Sequence, residues 1–382
     1  MKSSRFSGDF EKVTGSSWVE GNSIRSLSNG DAFFPPMLAA IRGAEKSITF
    51  ETFAFVDAPV TQLFSQALAE RARAGVPVKM ILDNVGSAKA GEQNVKLMRD
   101  AGVELYFYHP INFLRARYSN NRTHRKILVV DGKLAYTGGA GFAHAWTGDA
   151  HKVEFWRDNQ YEVKGPAVAF FQKAFCENWE ELTKEQLQGR AYFPELTRAG
   201  KMRMQVLYDD PWNTEDPIAD SVLTAINASR ESLILQQAYF VPNRDFREVI
   251  IAAARRGVKV QVMVPNQLVD SKPTRYVSQN YWKELLEEGV RIFQYETSML
   301  HSKLLIADDK LTIIGSGNFD NRSFFINDEM NLCLDSPLFA GEQMAMFERD
   351  KGRSREVTLA NLKQFLEPSY RRFFSRVIAG QL

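Results

Sequence analysis

Ala40-Ile41-Arg42-Gly43-Ala44-Glu45-Lys46-Ser47-Ile48 returns, 185 positions later, as Ala225-Ile226-Asn227-Ala228-Ser229-Arg230-Glu231-Ser232-Leu233. Each copy runs into a β-rich stretch, Ile48 to Phe55 and Leu233 to Phe240. A helical pattern follows in both. Val60, Leu63, Phe64, Ala67 and Leu68 recur at helical spacing, as do Phe246, Val249, Ile250, Ala253 and Ala254. Gly75 and Gly257 stand where a helix ends on glycine. Apolar strands come next, Val76 to Leu82 and Val258 to Val264. Another helix-to-strand step follows at Ala101-Gly102-Val103-Glu104-Leu105 and Glu288-Gly289-Val290-Arg291-Ile292. A chain written twice in alternating β and α units predicts an α/β fold of two pseudo-symmetric halves. Each half is a mixed sheet covered by helices. The division falls within residues 183–204, giving units 1–195 and 196–382.

The chain has 382 residues, of which 44% are hydrophobic and 25% charged, which excludes a disordered or collagen-like polypeptide. Net charge is only +2, so an anionic partner must be drawn by a local patch. Cys176 and Cys333 are the two cysteines and lie far apart, which excludes a disulfide framework and a Cys-based zinc site. The opening residues lack the apolar core of a signal peptide, and no apolar run reaches the roughly 18–20 residues that span a bilayer.

The chemistry is duplicated with the scaffold. His124-Arg125-Lys126 precedes Asp131 and Gly138-Gly139; His301-Ser302-Lys303 precedes Asp308 and Gly315-Ser316-Gly317-Asn318. Both fit His-x-Lys-x-x-x-x-Asp with the same glycine spacing. From average residue usage, two such matches among five histidines have odds on the order of one in ten thousand. Read as strands, the motifs put His124 beside Lys126 and His301 beside Lys303 on one face. Asp131-Gly132 signals a hairpin turn. Gly139 and Ser316 are expected to let the backbone approach a bound anion. An imidazole next to an ammonium suits a phosphodiester, the ammonium holding the non-bridging oxygens while nitrogen attacks or donates a proton. Asp158 and Glu329, late in each half, are expected to orient the histidine of their own half. Asp131 and Asp308, at turns, are expected to brace structure.

These motifs resemble the phospholipase D superfamily over roughly residues 18–345. Glu51-Thr52-Phe53-Ala54-Phe55, Gln237-Ala238-Tyr239-Phe240-Val241-Pro242 and Asn321-Arg322-Ser323-Phe324 through Asn327-Asp328-Glu329 narrow it to bacterial cardiolipin synthases. In particular, it is similar to the shorter members without N-terminal spanning helices. The resemblance implies one site between the halves, a phosphohistidine intermediate, and neither metal nor cofactor. His124, Lys126, Asp131, His301, Lys303 and Asp308 are its catalytic motif residues, with His124 as nucleophile and His301 as general acid/base. Lys126, Lys303 and Asn318 would bind phosphoryl oxygens. Gly141 stands where the family has the first-half counterpart of Asn318.

The expected product is cardiolipin made from phosphatidylglycerol at a bacterial cytoplasmic membrane, to which the protein is peripheral. The competing readings are lipid hydrolysis, a nuclease, and an inactive lipid-binding scaffold; the near-neutral charge speaks against nucleic acid as a partner. Oligomeric state is not legible. From Leu105 to Val130 there is no acidic residue, and Arg115, Arg117, Arg122, Arg125 and Lys126 lie there with Phe113 and Tyr118. Arg115, Arg117 and Arg122 are the expected contacts to anionic headgroups. The basic, apolar tail Tyr370 to Ile378 is expected to pack on its own domain. Trp146, Trp156 and Trp212 are expected to be packing residues, and Cys176 a buried thiol. His144 and His151 are weaker candidates for the acceptor side, and His109 has no motif partner.

Overall fold

The structure, a computed structural model, describes residues 10–112, 114–209 and 216–375. Phe113, Trp212, and Arg376, Val377 and Ile378 of the tail lie outside the described residues, as do the side chains of Phe373 and Phe374.

The first half supplies β1 (Val19–Ser28), β2 (Ile48–Thr52), β3 (Val78–Asp83), β4 (Glu104–Tyr108), β5 (Ile127–Val130), β6 (Leu134–Gly138) and β7 (Asn159–Lys164). The second supplies β8 (Met202–Tyr208), β9 (Ser232–Gln237), β10 (Lys259–Pro265), β11 (Arg291–Tyr295), β12 (Lys303–Ala307), β13 (Leu311–Gly315), β14 (Met330–Asp335) and β15 (Ser354–Val357). Among the described residues they form one sheet in the order β15-β11-β10-β9-β12-β13-β14-β8-β1-β7-β6-β5-β2-β3-β4. Read outward from the central β8–β1 pair, each strand of one half meets its repeat counterpart in the other, and β15 is the extra edge. The repeat units pair in parallel, β2 with β3 and β3 with β4, β9 with β10 and β10 with β11. The motif hairpins β5–β6 and β12–β13 are antiparallel. Residues 184–201, between the helix Val168–Thr183 and β8, carry no helix or strand.

Alternation along the strands sorts the core into layers. Leu128 and Val130 join the first half's outer core, and Leu305 and Ala307 the second's. Ile127, Val129, Leu304 and Ile306 point the other way, into a single inner core that also takes the helices Val168–Thr183 and Pro337–Lys351. The two halves therefore share their innermost apolar layer, and the motif strands run through it.

Asp131 has φ 55° and Asp308 has φ 51°, both in left-handed turns. The Asp131 carboxylate accepts from the backbone N–H groups of Glu45, Lys46 and Ser47 at 2.7–3.1 Å. Asp308 does the same for Arg230, Glu231 and Ser232 at 2.8–3.2 Å. Each motif aspartate thus ties its hairpin to the entry of the neighbouring repeat strand, a structural duty remote from the histidines.

Candidate active site

Each motif histidine lies on the extended approach to its strand, two residues ahead of Lys126 or Lys303. The lysine ammonium folds back onto the histidine's carbonyl, at 2.7 Å in both halves. These approaches do not end within their own half. Thr123 bridges to Asp328 and Arg157 to Leu300, each in parallel. The N–H of His124 donates to Asp328 O and that of His301 to Arg157 O, at 2.9 and 2.8 Å.

That pairing overturns the expectation for the orienting carboxylates. Asp158 and Glu329 each serve the opposite half. His124 Nδ1 lies 2.7 Å from Glu329 Oε1, and His301 Nδ1 2.7 Å from Asp158 Oδ2. The reason is geometric: the residue before each carboxylate is hydrogen-bonded to the other half's motif approach. The carboxylate that follows is thereby delivered to the other half's imidazole.

Both carboxylates are themselves held. Ser316 Oγ and Ser323 Oγ donate to Glu329 at 2.5 and 2.6 Å. Asn159 N and Trp146 Nε1 donate to Asp158 at 2.8 and 3.0 Å. The phosphate-binding expectation for Ser316 and Gly139 is corrected accordingly. The Ser316 hydroxyl is spent on Glu329, and a Cβ on Gly139 would sit 2.4 Å from Asp158 Oδ1. These positions admit a carboxylate of the protein, not an anion of the substrate.

Burial sets the electrostatics. It drives His124 down to about 4, with Lys126 and Lys303 adding to the push and Glu329 opposing it. His301 is lowered by burial and by Lys303, against Asp158. Burial also lowers Lys126 to about 7 and depresses Lys303. Opposing its own burial, the neighbouring His124 and Lys126 hold Glu329 at about 2. Removing charged groups from water disfavours the charged form, so the imidazoles are kept neutral and two lysines are left short of an anion.

His124, Lys126, His301 and Asn318 line one cavity of about 680 Å³. Its walls differ. Around His301 stand Trp146, Trp156 and Tyr239, with ring centroids 5.2, 5.3 and 6.4 Å from the imidazole. Beside His124 stands Phe53 at 5.2 Å. Asn120, Arg122, Arg322 and Asn327 form a polar stretch, and Asp270 and Asp320 also face the space. The two tryptophans expected to pack in core or rim are therefore part of the cavity wall. Trp146 also answers the departure at Gly141: a Cβ there would lie 3.0 Å from the indole and 2.9 Å from Ala54 Cβ. The space of the absent asparagine is filled by an aromatic ring.

Other sequence expectations fall differently. Arg115 and Arg117 are exposed, next to Leu114 at 96% exposure and Ile111 at 59%. Arg122 is buried, donating to Asn121 O and His109 O, and is no surface contact. Arg125 is buried too, donating to Ala174 O and Asp209 O. Neither His144 nor His151 lines the cavity; both are exposed, and His151 pairs with Asp149 and Arg353. His109 is buried against Glu181. Cys176 is half-buried, and burial pushes its thiol up to about 11. The described start of the tail, the helix Ser369–Ser375, packs on the helix Lys272–Ser278.

Sequence reasoning missed the buried polar groups beneath the histidines. Under His124, Asn178 Nδ2 bridges Glu51 and Asp328 at 2.7 and 3.0 Å. Under His301, Asp350 takes Arg157 Nε and Gln236 Nε2, at 3.0 and 2.9 Å. The single charged residue, Glu51, in the run Ile48 to Phe55 was the available signal.

The family described as cardiolipin synthase, phospholipase D-like domain, matches residues 37–175 and 222–351, one block per repeat. The chain is 30% identical to a probable cardiolipin synthase, YwiE, of Bacillus subtilis, over 94% of its own length and 72% of that protein. It is 32% identical to cardiolipin synthase A of Pseudomonas aeruginosa, over 91% and 70%. Among solved structures it resembles a phosphatidylserine synthase of Haemophilus influenzae, with TM-score 0.71 at 13% identity, over 99% and 100% of the two chains. A polyphosphate kinase of Porphyromonas gingivalis gives TM-score 0.60 at 11% identity, over 88% of this chain and 49% of that one. These last two likenesses concern the fold alone.

Proposed function

Because the chain belongs to the cardiolipin synthase family of phospholipase D-like proteins, we propose that it moves a phosphatidyl group from phosphatidylglycerol to the glycerol hydroxyl of a second lipid, forming cardiolipin. The observation that carries this reading is the pair of buried imidazoles, each aimed by the opposite half and both opening on one cavity.

Glu329 takes the Nδ1–H of His124, which leaves the Nε2 lone pair for phosphorus. Attack forms the P–N bond and breaks the P–O bond to glycerol; His301, neutral in the ligand-free site and protonated once the phosphodiester anion lies beside it, gives that proton to the departing oxygen. In the return step the acceptor hydroxyl passes its proton to His301 while its oxygen attacks phosphorus and the P–N bond breaks. Lys126, Lys303 and the Asn318 amide take the phosphoryl oxygens, whose charge grows at the transition state. The order of the two histidines follows the family resemblance. An arriving phosphodiester supplies the anion that the two depressed lysines lack.

Among the described residues no helix is long and apolar enough to cross a membrane. The exposed Ile111 and Leu114, flanked by Arg115 and Arg117, are the surface we assign to the face of the bilayer, apolar tips entering and guanidiniums meeting anionic lipid.

Purified protein given phosphatidylglycerol vesicles should yield cardiolipin and glycerol by mass spectrometry. Phosphatidic acid with glycerol would make water the acceptor, and no product would leave a lipid-binding protein. His124→Ala and His301→Ala should each lower turnover by about 10³-fold or more, since attack and proton transfer are separate duties. Near-normal turnover by either variant would exclude the shared site.

A further inference from the structure

This inference rests on the reading above. Cardiolipin carries two phosphates joined by one glycerol, so an acceptor phosphatidylglycerol brings its own phosphate anion into the cavity, one glycerol's length from the phosphorus being transferred. Lys126 and Lys303 serve the transferred group. The same cavity is lined by two more cations, one from each half: Arg122, ahead of the first motif, and Arg322, after the second.

Their settings suit an anion. Arg322 Nη1 donates to Asn120 Oδ1 at 3.1 Å, and its Nη2 to Asn120 O and Asn327 Oδ1 at 2.8 and 3.2 Å. These neutral acceptors span the seam between the halves. Arg122 is 5% exposed, and its Nη1 makes no hydrogen bond among the described residues. It pairs instead with the buried carboxylate of Asp83 at 3.6 Å, an ion pair without a hydrogen bond, so it keeps a free N–H direction for a second anion. Burial lowers Arg322, Asp320 opposes that, and the nearby Arg122 adds to it. Two guanidiniums on one partly dry wall raise each other's electrostatic cost, and an anion entering beside them relieves it.

We propose that Arg122 and Arg322, with Asn120 and Asn327, form a second phosphate subsite that takes the phosphodiester of the acceptor lipid. The carboxylates on the lining have partners of their own: Asp270 accepts the Tyr239 hydroxyl, and Asp320, near enough to Arg322 to act on its charge, caps the helix Asn321–Phe325. The polar stretch is then the acceptor's side of the cavity.

The alternative duty of Arg322 is to stitch residue 120 to residue 327, and the test separates the two. With short-chain phosphatidylglycerol as donor, transfer onto glycerol 3-phosphate is compared with transfer onto glycerol. The wild-type preference for the phosphorylated acceptor should fall by about tenfold or more in Arg322→Gln, the worth of one charge-assisted contact. Asn327→Asp keeps an acceptor for Arg322 but cancels its charge, and should remove the preference as well. A ratio unchanged in both variants, whatever the absolute rates, would overturn the subsite. Loss of the wild-type preference on adding equimolar inorganic phosphate would make it a site for free phosphate and overturn the acceptor assignment. Wild-type protein that makes no cardiolipin from vesicles would defeat the proposed function instead, a separate failure.

Discussion

Trp146 does with one ring what the second half divides among Ser316, Ser323 and Asn318. Its Nε1–H holds Asp158, and its six-membered ring fills the space over Gly141. Trp146→Phe keeps most of the ring and removes the hydrogen bond. A neutral donor to a buried carboxylate is worth about 1.5–3 kcal/mol, so kcat should fall roughly 10–100-fold with KM little changed. A fall in melting temperature with no loss of kcat would reduce Trp146 to packing. Lys126 carries a second expectation. Its folded value near 7 lies below the ordinary 10.5, so between those pH values the unfolded chain binds a proton that the folded one does not. Stability of the ligand-free protein should therefore rise as pH climbs from 7 toward 10. Lys126→Met should flatten that rise in thermal melts while abolishing turnover. An equal rise in the variant would remove Lys126 as its source. At this scale the histidines, lysines and the oddity of Gly141 were legible in the sequence. The answer to Gly141 was not, because the indole that fills it comes from the turn His144–Trp146, whose sequence shares nothing with the helix Asn321–Phe325 at the corresponding place in the second half.

The elements repeat more faithfully than their contacts. Strand for strand the halves correspond, and both motif aspartates cap the N–H groups ahead of a repeat strand. Asp131→Ala and Asp308→Ala each strip the acceptor from three backbone donors. Each should cost about 2–4 kcal/mol of stability, seen as a lower melting temperature. A drop in kcat well below the melting range, with stability intact, would return these aspartates to the chemistry. Hairpins, helices and parallel strands could be read because their signals are local: a period, a turn pair, a closing glycine. The crossing of Asp158 and Glu329 could not, because spacing along the chain says nothing about which imidazole a loop meets after the halves close.

For the whole molecule, the shared inner core and the unbroken sheet leave no hinge at the seam. On the proposed function, the cavity of about 680 Å³ would take the headgroups while the acyl chains remain in the bilayer. Ile111→Ser with Leu114→Ser should then reduce activity on anionic vesicles about tenfold or more and affect a soluble short-chain donor much less, from the lost insertion of two aliphatic side chains. Equal losses on both substrates would remove the docking role. Of the arginines read into the basic loop, Arg122 and Arg125 turn inward and leave Arg115 and Arg117 on its surface.

In a symmetric dimer of identical chains, any substitution is made twice, and both sides of the reaction centre change together. A single polypeptide lifts that restriction, while each half still supplies the carboxylate for the other's imidazole. Tryptophan against the His301 imidazole, and an asparagine on the cavity wall where the first half has Gly141, is a difference that only a single chain of two unlike halves can hold.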